Sequence, residues 1–224
     1  MGRPGAGRVM RALTPLEARV LGVLVEKQHT VPDTYPLSLN ALVAGCNQKT
    51  ARDPVISASE AEVMTAVDGL KSLSLVFEGS GSRVVKFEHN LPRVLGLPAA
   101  SVALLTALML RGPQTSAELR LNSERLHRFA DISSVEGFLE ELAAKEPARV
   151  IKLPRAPGAR EARWAQLLCG EVVIDTSAVA AGDGSVSAGE IAALKAEQAR
   201  LADELAQLRA LVQRMAADLG IDAT

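Results

Sequence analysis

Aromatic residues are scarce in this chain: one Trp, one Tyr and four Phe, 3% of all positions. A buried core must therefore rest on Leu, Val and Ala, which help bring the apolar fraction to 48%. Cysteine is scarcer still, with Cys46 and Cys169 far apart in the sequence. That pattern excludes a disulfide framework and fits a reducing compartment, so a cytoplasmic location is expected. No run of about 18 apolar residues occurs, so neither a transmembrane helix nor a membrane partner is expected. The opening MGRPGAGRVMRAL is basic but lacks a continuous apolar stretch, and does not read as a signal peptide.

Catalytic and metal-binding patterns are missing too. There is no Cys-x-x-Cys and no His-x-x-x-His, and His29, His89 and His127 sit in different segments. No metal and no cofactor is expected. Gly79 and Gly81 fall in a hairpin pattern rather than between a strand and a helix, so they read as turn residues and not as a phosphate cradle. Cys46 is followed by Asn47, Gln48 and Lys49, with Arg52 close by, which raises the question of an activated thiol. Without a base at dyad spacing, Cys46 reads as a packed core residue at a helix end, and an enzyme is not expected.

The formal net charge of −1 hides an uneven distribution. Residues 1–12 carry Arg3, Arg8 and Arg11 and no acid, while acids outnumber bases beyond residue 171. No segment has the strong positive excess of an obvious nucleic-acid binder.

What the chain does have is clear helix punctuation. Thr14, Pro15 and Glu17 combine an N-cap, a proline at the first helical position and a capping-box acid, which predicts a helix to about Lys27. Its buried stripe would include Leu16, Val20 and Leu24. Ser38 can cap a short second helix. Ser57 and Glu60 form a second capping-box pattern, opening a helix to about Leu73 with Val63, Val67 and Leu70 on one face. The period then shortens towards 2 over residues 76–78 and 83–88, around a Gly/Ser turn, which predicts a hairpin.

The same order recurs: an apolar helix over 98–110, a capped segment from Thr115 that can reach Phe129, and a helix opened by Ser133 and Glu136. Strands at 150–153 and 161–165 follow. Three helices and a hairpin, twice over, predict a mainly α chain with small β-hairpin wings (α+β). It comprises two tandem winged-helix domains, residues 13–92 and 93–170. A flexible basic arm (1–12) precedes them, and a flexible linker (171–189) leads to a coiled-coil helix (190–220).

The seam of that last helix carries Ile191, Gln198, Leu205, Val212 and Leu219 at a, and Leu194, Leu201, Leu208 and Met215 at d. At about 1.5 Å per residue the seam is about 43 Å long. Such a helix needs a partner surface. A parallel homodimer is expected, with folding back onto the domains or meeting another protein as the alternatives.

Winged helices often read DNA with the third helix. Here those helices are acidic, with Glu60, Glu62 and Asp68 in the first unit and Glu136, Glu140 and Glu141 in the second, so groove docking is disfavoured. The hairpins are basic instead. Arg83 and Lys86 mark the first, and Lys152, Arg155, Arg160 and Arg163 mark the second; with the arm, these are the candidate phosphate contacts. Duplex DNA and a protein are the two candidate partners. The expected function is a non-enzymatic, DNA-associated or transcription-regulatory protein; the alternative is an interaction scaffold that touches no DNA.

Several uncommon strings occur in order: LTPLEARVLGVLVEK at 13–27, PDTYPLSLNAL at 32–42, CNQK at 46–49, ARDPV at 51–55 and GSRVVKFEH at 81–89. With RGPQT at 111–115 and PGARE at 157–161, they resemble the YceH-like family of uncharacterised bacterial proteins. The resemblance implies a tandem winged-helix fold and no established activity, catalytic residue or ligand. It singles out Tyr35, Asn40, Asn47, Gln48, Lys49 and Arg52 as a motif surface. It also suggests a clamp in which Arg19 or Lys27 pairs with Asp33 or Asp53 to hold the loop before the third helix. The chain departs from the pattern at Leu121-Asn122, where Thr-Arg is usual, and at Trp164-Ala165-Gln166, where Tyr-x-His is usual.

Overall fold

The computed structural model describes residues 10–79, 84–155 and 160–172. Arg3, Arg8, Arg83, most of the expected linker and every seam residue from Ile191 to Leu219 lie outside these. Helix α1 (Pro15–Thr30) is the centre of the fold. Thr14 accepts from the Glu17 backbone while Glu17 accepts from the Thr14 backbone, the reciprocal box expected from the sequence. Burial is not confined to a stripe, because Glu17 through Val25 are buried without a break. A helix buried all round sits between layers, and α1 packs on its own repeat on one side and on α5 of the second repeat on the other.

A short 3-10 turn (Pro32–Thr34) leads to strand β1 (Leu37–Ser38) and helix α2 (Leu39–Cys46), capped by Ser38. Then come helix α3 (Glu60–Ser72) and strands β2 (Val76–Gly79) and β3 (Lys86–His89). The sheet order is β1-β3-β2, all antiparallel, with Leu37 opposite Phe87 and Val76 opposite His89.

Helix α4 (Leu91–Leu95), closed by Gly96 at φ 61°, connects the repeats. The second half has α5 (Ala99–Arg111), α6 (Ser116–Asn122), α7 (Ile132–Ala143), β4 (Val150–Lys152) and β5 (Trp164–Gln166). A lone antiparallel bridge joins Gln114 to Trp164. Gln114 thus stands before α6 as β1 stands before α2, and β5 takes the middle place that β3 has.

Two helix starts differ from expectation. α3 is capped by Ser59 with Glu62, two residues later than Ser57 and Glu60. The shift keeps Ala58 outside the helix, where the Asn47 side chain accepts from its N–H (2.7 Å) and donates to its C=O (2.8 Å). α7 is capped by Asp131 with Ser134, not by Ser133 with Glu136, and Glu136 instead accepts from Ser116 Oγ at 3.1 Å. α6 ends at Asn122 rather than reaching Phe129.

One continuous apolar core runs through both repeats, from Val20 and Leu24 through Leu70 and Phe87 to Leu104, Leu139 and Trp164. The described residues all fall within one compact unit. None of their helices is long and apolar enough to cross a membrane.

Candidate functional site

Two candidate sites follow from the sequence: the motif around Cys46 and the basic hairpins. In the motif, α2 ends at Cys46 and the chain must return to α3 over 13 residues, from 47 to 59. An irregular segment of that length needs its backbone polar groups satisfied, and α1 supplies the partners. Arg19 donates from Nη1 to the Cys46 carbonyl (3.1 Å) and from Nη2 to the Pro54 carbonyl (2.7 Å). Arg52 turns inward, donating to the Gly45 carbonyl (3.1 Å) and its own neighbour's, Ala51 (2.8 Å). It also forms a two-pronged pair with Glu26 at 2.6 and 3.2 Å.

The motif therefore clamps its loop, with different partners from those expected. Arg19 holds backbone carbonyls rather than Asp33 or Asp53. Lys27 meets Glu26 at 3.1 Å and the Gln48 side chain at 3.3 Å. Nor is Arg52 a surface residue: its side chain is 0% exposed. Burial works against the Glu26 carboxylate, but the hydrogen bond and charge of Arg52, helped by Lys27, hold it below the usual carboxylate range.

Of the other motif residues, Tyr35 is half-buried and accepts from the His89 backbone at 2.8 Å, tying the 3-10 turn to β3. Asn47 holds Ala58, and Gln48 bridges Lys27 and Arg52. Asn40 and Lys49 are exposed. Cys46 is fully buried, and burial pushes its thiol up to about 11 although Arg19 and Arg52 pull the other way. This is a packed core thiol. No trio of His, Cys, Asp or Glu among the described residues could hold a metal ion.

The basic hairpins divide. Lys86 is half-buried on β3, beside exposed Phe77, Val84 and Val85. In the second hairpin Lys152 lies over the Trp164 ring, 5.3 Å from its centre. It lines a shallow pocket of about 350 Å³ with Arg155, together with Glu136 and Glu161. Lys152, Arg155 and Arg160 are exposed and make no ion pair with the described residues. Arg163 is committed elsewhere: it donates to the Pro113 carbonyl (2.8 Å) and pairs with Glu118 (3.2 Å). Arg11 is likewise no part of a loose arm, because it forms a two-pronged pair with buried Glu17 at 2.6 and 2.8 Å. Lys71 on α3 is paired with Glu78 (2.7 Å).

The structure thus brings Gln48 and Arg52 together with Glu26 and Lys27, and Lys152 with Arg155. Lys86 belongs to the other sheet and joins neither group. Position in a repeat did not reveal Glu26 as the partner of buried Arg52; its place on α1, 26 residues before Arg52, gives no local signal.

Known chains match this one along nearly its whole length. A family model described as "Protein of unknown function, DUF480" matches residues 13–159. A UPF0502 protein of Burkholderia multivorans is 71% identical over 218 residues, covering 96% of this chain and 93% of the relative. One from Burkholderia cenocepacia is 70% identical over 218 residues, covering 96% and 92%. One from Burkholderia pseudomallei is 70% identical over 214 residues, covering 95% and 92%. The chain belongs to this DUF480 (UPF0502) family of bacterial proteins, in agreement with the resemblance drawn from its strings.

Proposed function

We propose that this is a tandem winged-helix protein, without enzymatic activity, that associates with duplex DNA in a regulatory role by contacting the phosphate backbone through its second hairpin. The winged-helix reading is supported by topology. The first repeat runs α1-β1-α2-α3-β2-β3 with sheet order β1-β3-β2, and the second repeats it with the Gln114 bridge in place of β1. The observation that carries the DNA reading is the exposed trio Lys152, Arg155 and Arg160, which forms no ion pair among the described residues, although Glu136 and Glu161 line the pocket beside Lys152 and Arg155. α3 and α7 present Glu60, Glu140 and Glu141 to solvent, which disfavours helix-in-groove docking and leaves the hairpin as the contact. Dimerisation through residues 190–220 belongs to the same proposal; it would double a weak contact by effective concentration.

The test is fluorescence anisotropy of a random-sequence duplex at 50 and 200 mM salt. Three phosphate contacts predict roughly a 40-fold loss of affinity over that range, and a much flatter response when Lys152, Arg155 and Arg160 are all changed to Ala. Arg163→Ala should leave the slope unchanged, since its charge is already engaged. Absence of binding at the lower salt would sink the proposal. A second reading, an interaction scaffold, is favoured by the apolar surface on the first hairpin, where Phe77, Val84 and Val85 are 44%, 56% and 48% exposed.

A further inference from the structure

A cleft of about 860 Å³ opens where the end of α3, α4 and the turn before β4 come together. It is walled by the end of α3 (Leu73), by α4 (Arg93, Val94), by the turn before β4 (Glu146, Arg149), and by Arg11. Arginine cannot shed its proton in a protein, so a guanidinium drawn out of water needs an anion or an acceptor. Arg149 is half-buried, its Nε is shut off from solvent with no acceptor, and no ion pair with the described residues compensates it. Burial alone pulls its pKa down, with no carboxylate acting against it. Arg93 on α4 lines the same cleft, is exposed, and is also without an ion pair among the described residues. Arg11 adds a third guanidinium, though Glu17 already engages it. Glu146 is the one acid among the described residues that line the cleft.

We propose that this cleft binds a phosphomonoester of small-molecule size. Two guanidinium groups from different elements match a dianionic phosphate, which offers oxygens to both; a monoanionic carboxylate satisfies one fork. Leu73 and Val94 give the ligand's carbon skeleton an apolar wall, and Glu146 suits a ligand hydroxyl donor. The site lies at the base of the second hairpin, shares no residue with the trio Lys152, Arg155 and Arg160, and does not depend on DNA binding.

Phenyl phosphate is the probe, with benzoate as the carboxylate comparison and benzyl alcohol as the uncharged one, all at fixed ionic strength. Titration of the full chain is followed through the arginine Nε–H NMR signals. Phenyl phosphate should move the Arg149 and Arg93 signals together, saturably, and bind at least about tenfold tighter than benzoate. Loss of one charge-assisted fork predicts about a tenfold or greater weakening in Arg93→Ala, an exposed position at which folding is unaffected. Arg149→Gln should abolish saturation; if that variant does not fold, Arg93→Ala alone decides. Replacing Arg155 and Arg160 with Ala should change nothing, which separates this site from the hairpin. The proposal is overturned if Arg155 and Arg160 signals move in parallel with Arg149, if benzoate binds as well as phenyl phosphate, or if Arg93→Ala leaves the affinity unchanged.

Discussion

Arg52 and Glu26 meet through two hydrogen bonds at 2.6 and 3.2 Å, joining the loop before α3 to the central helix across 26 residues. The arginine side chain is fully buried and the glutamate 17% exposed. Removing one partner of such a pair strands the other charge, at a cost of about 3–5 kcal/mol. Glu26→Gln should therefore lose stability on that scale in urea denaturation. Arg52→Met with Glu26→Leu should lose less than the sum of the single changes, because neither charge is left alone. A loss under about 1 kcal/mol in Glu26→Gln would mean that water solvates the pair as it does a surface one.

That pair marks the boundary of what the sequence discloses. Helix starts at Thr14, Ser38 and Thr115 were legible because a capping side chain and its target lie within three residues of each other. The starts of α3 and α7 were not, because Asn47 gripping Ala58 and Ser116 reaching Glu136 select a later or earlier cap from across the fold. β1 and the Gln114 bridge are too short to leave a period-2 signature. The motif's importance was visible as a cluster of uncommon strings, but its inward direction was not. Charges in a loop ordinarily face water, and only the position of α1 reveals that Arg19 and Arg52 serve the loop's backbone.

Two glycines on helices should respond oppositely to alanine. Gly137 lies inside α7, and a Cβ added there would meet nothing within 4 Å, so Gly137→Ala should stabilise by about 0.5–1 kcal/mol through helix propensity alone. Gly45 lies inside α2, where a Cβ would stand 2.6 Å from Val23 Cγ1 on α1. The same propensity gain exists there, but overpacking costs about 1–3 kcal/mol and wins. Thermal unfolding of the two variants should shift in opposite directions; a parallel shift would mean that α1 and α2 yield freely.

His89 supplies a pH dependence of definite sign. Burial, with a smaller push from His29, depresses its pKa to about 4, while its Nε2 lies 2.7 Å from Gln28 Oε1. The unfolded chain binds that proton near pH 6.5, so between about pH 6.5 and 4 unfolding takes up a proton and stability falls as pH falls. Above this window the contribution is complete. Denaturation midpoints measured from pH 7 to 4 should decline in the wild type and decline less in His89→Gln. Equal slopes in the two proteins would place the acid sensitivity on other groups.

Cys46 and Cys169 should differ as thiols in the native protein. Cys46 is fully buried, its pKa is raised to about 11, and the Arg19 hydrogen bond to its own carbonyl closes the helix end over it. Cys169 is also raised by burial, but it is only half-buried, where Cys46 is closed off completely. Reaction requires the thiolate and access to it, so a disulfide reagent at neutral pH should label Cys169 first. Cys46 should react only as fast as the core opens, and denaturant should accelerate it in step with global unfolding. Arg19→Met, which frees the carbonyls of Cys46 and Pro54, should raise the Cys46 rate without altering that of Cys169. If Cys46 instead reacts at once in the intact wild type, the clamp is open in solution and the thiol regains its claim to chemistry.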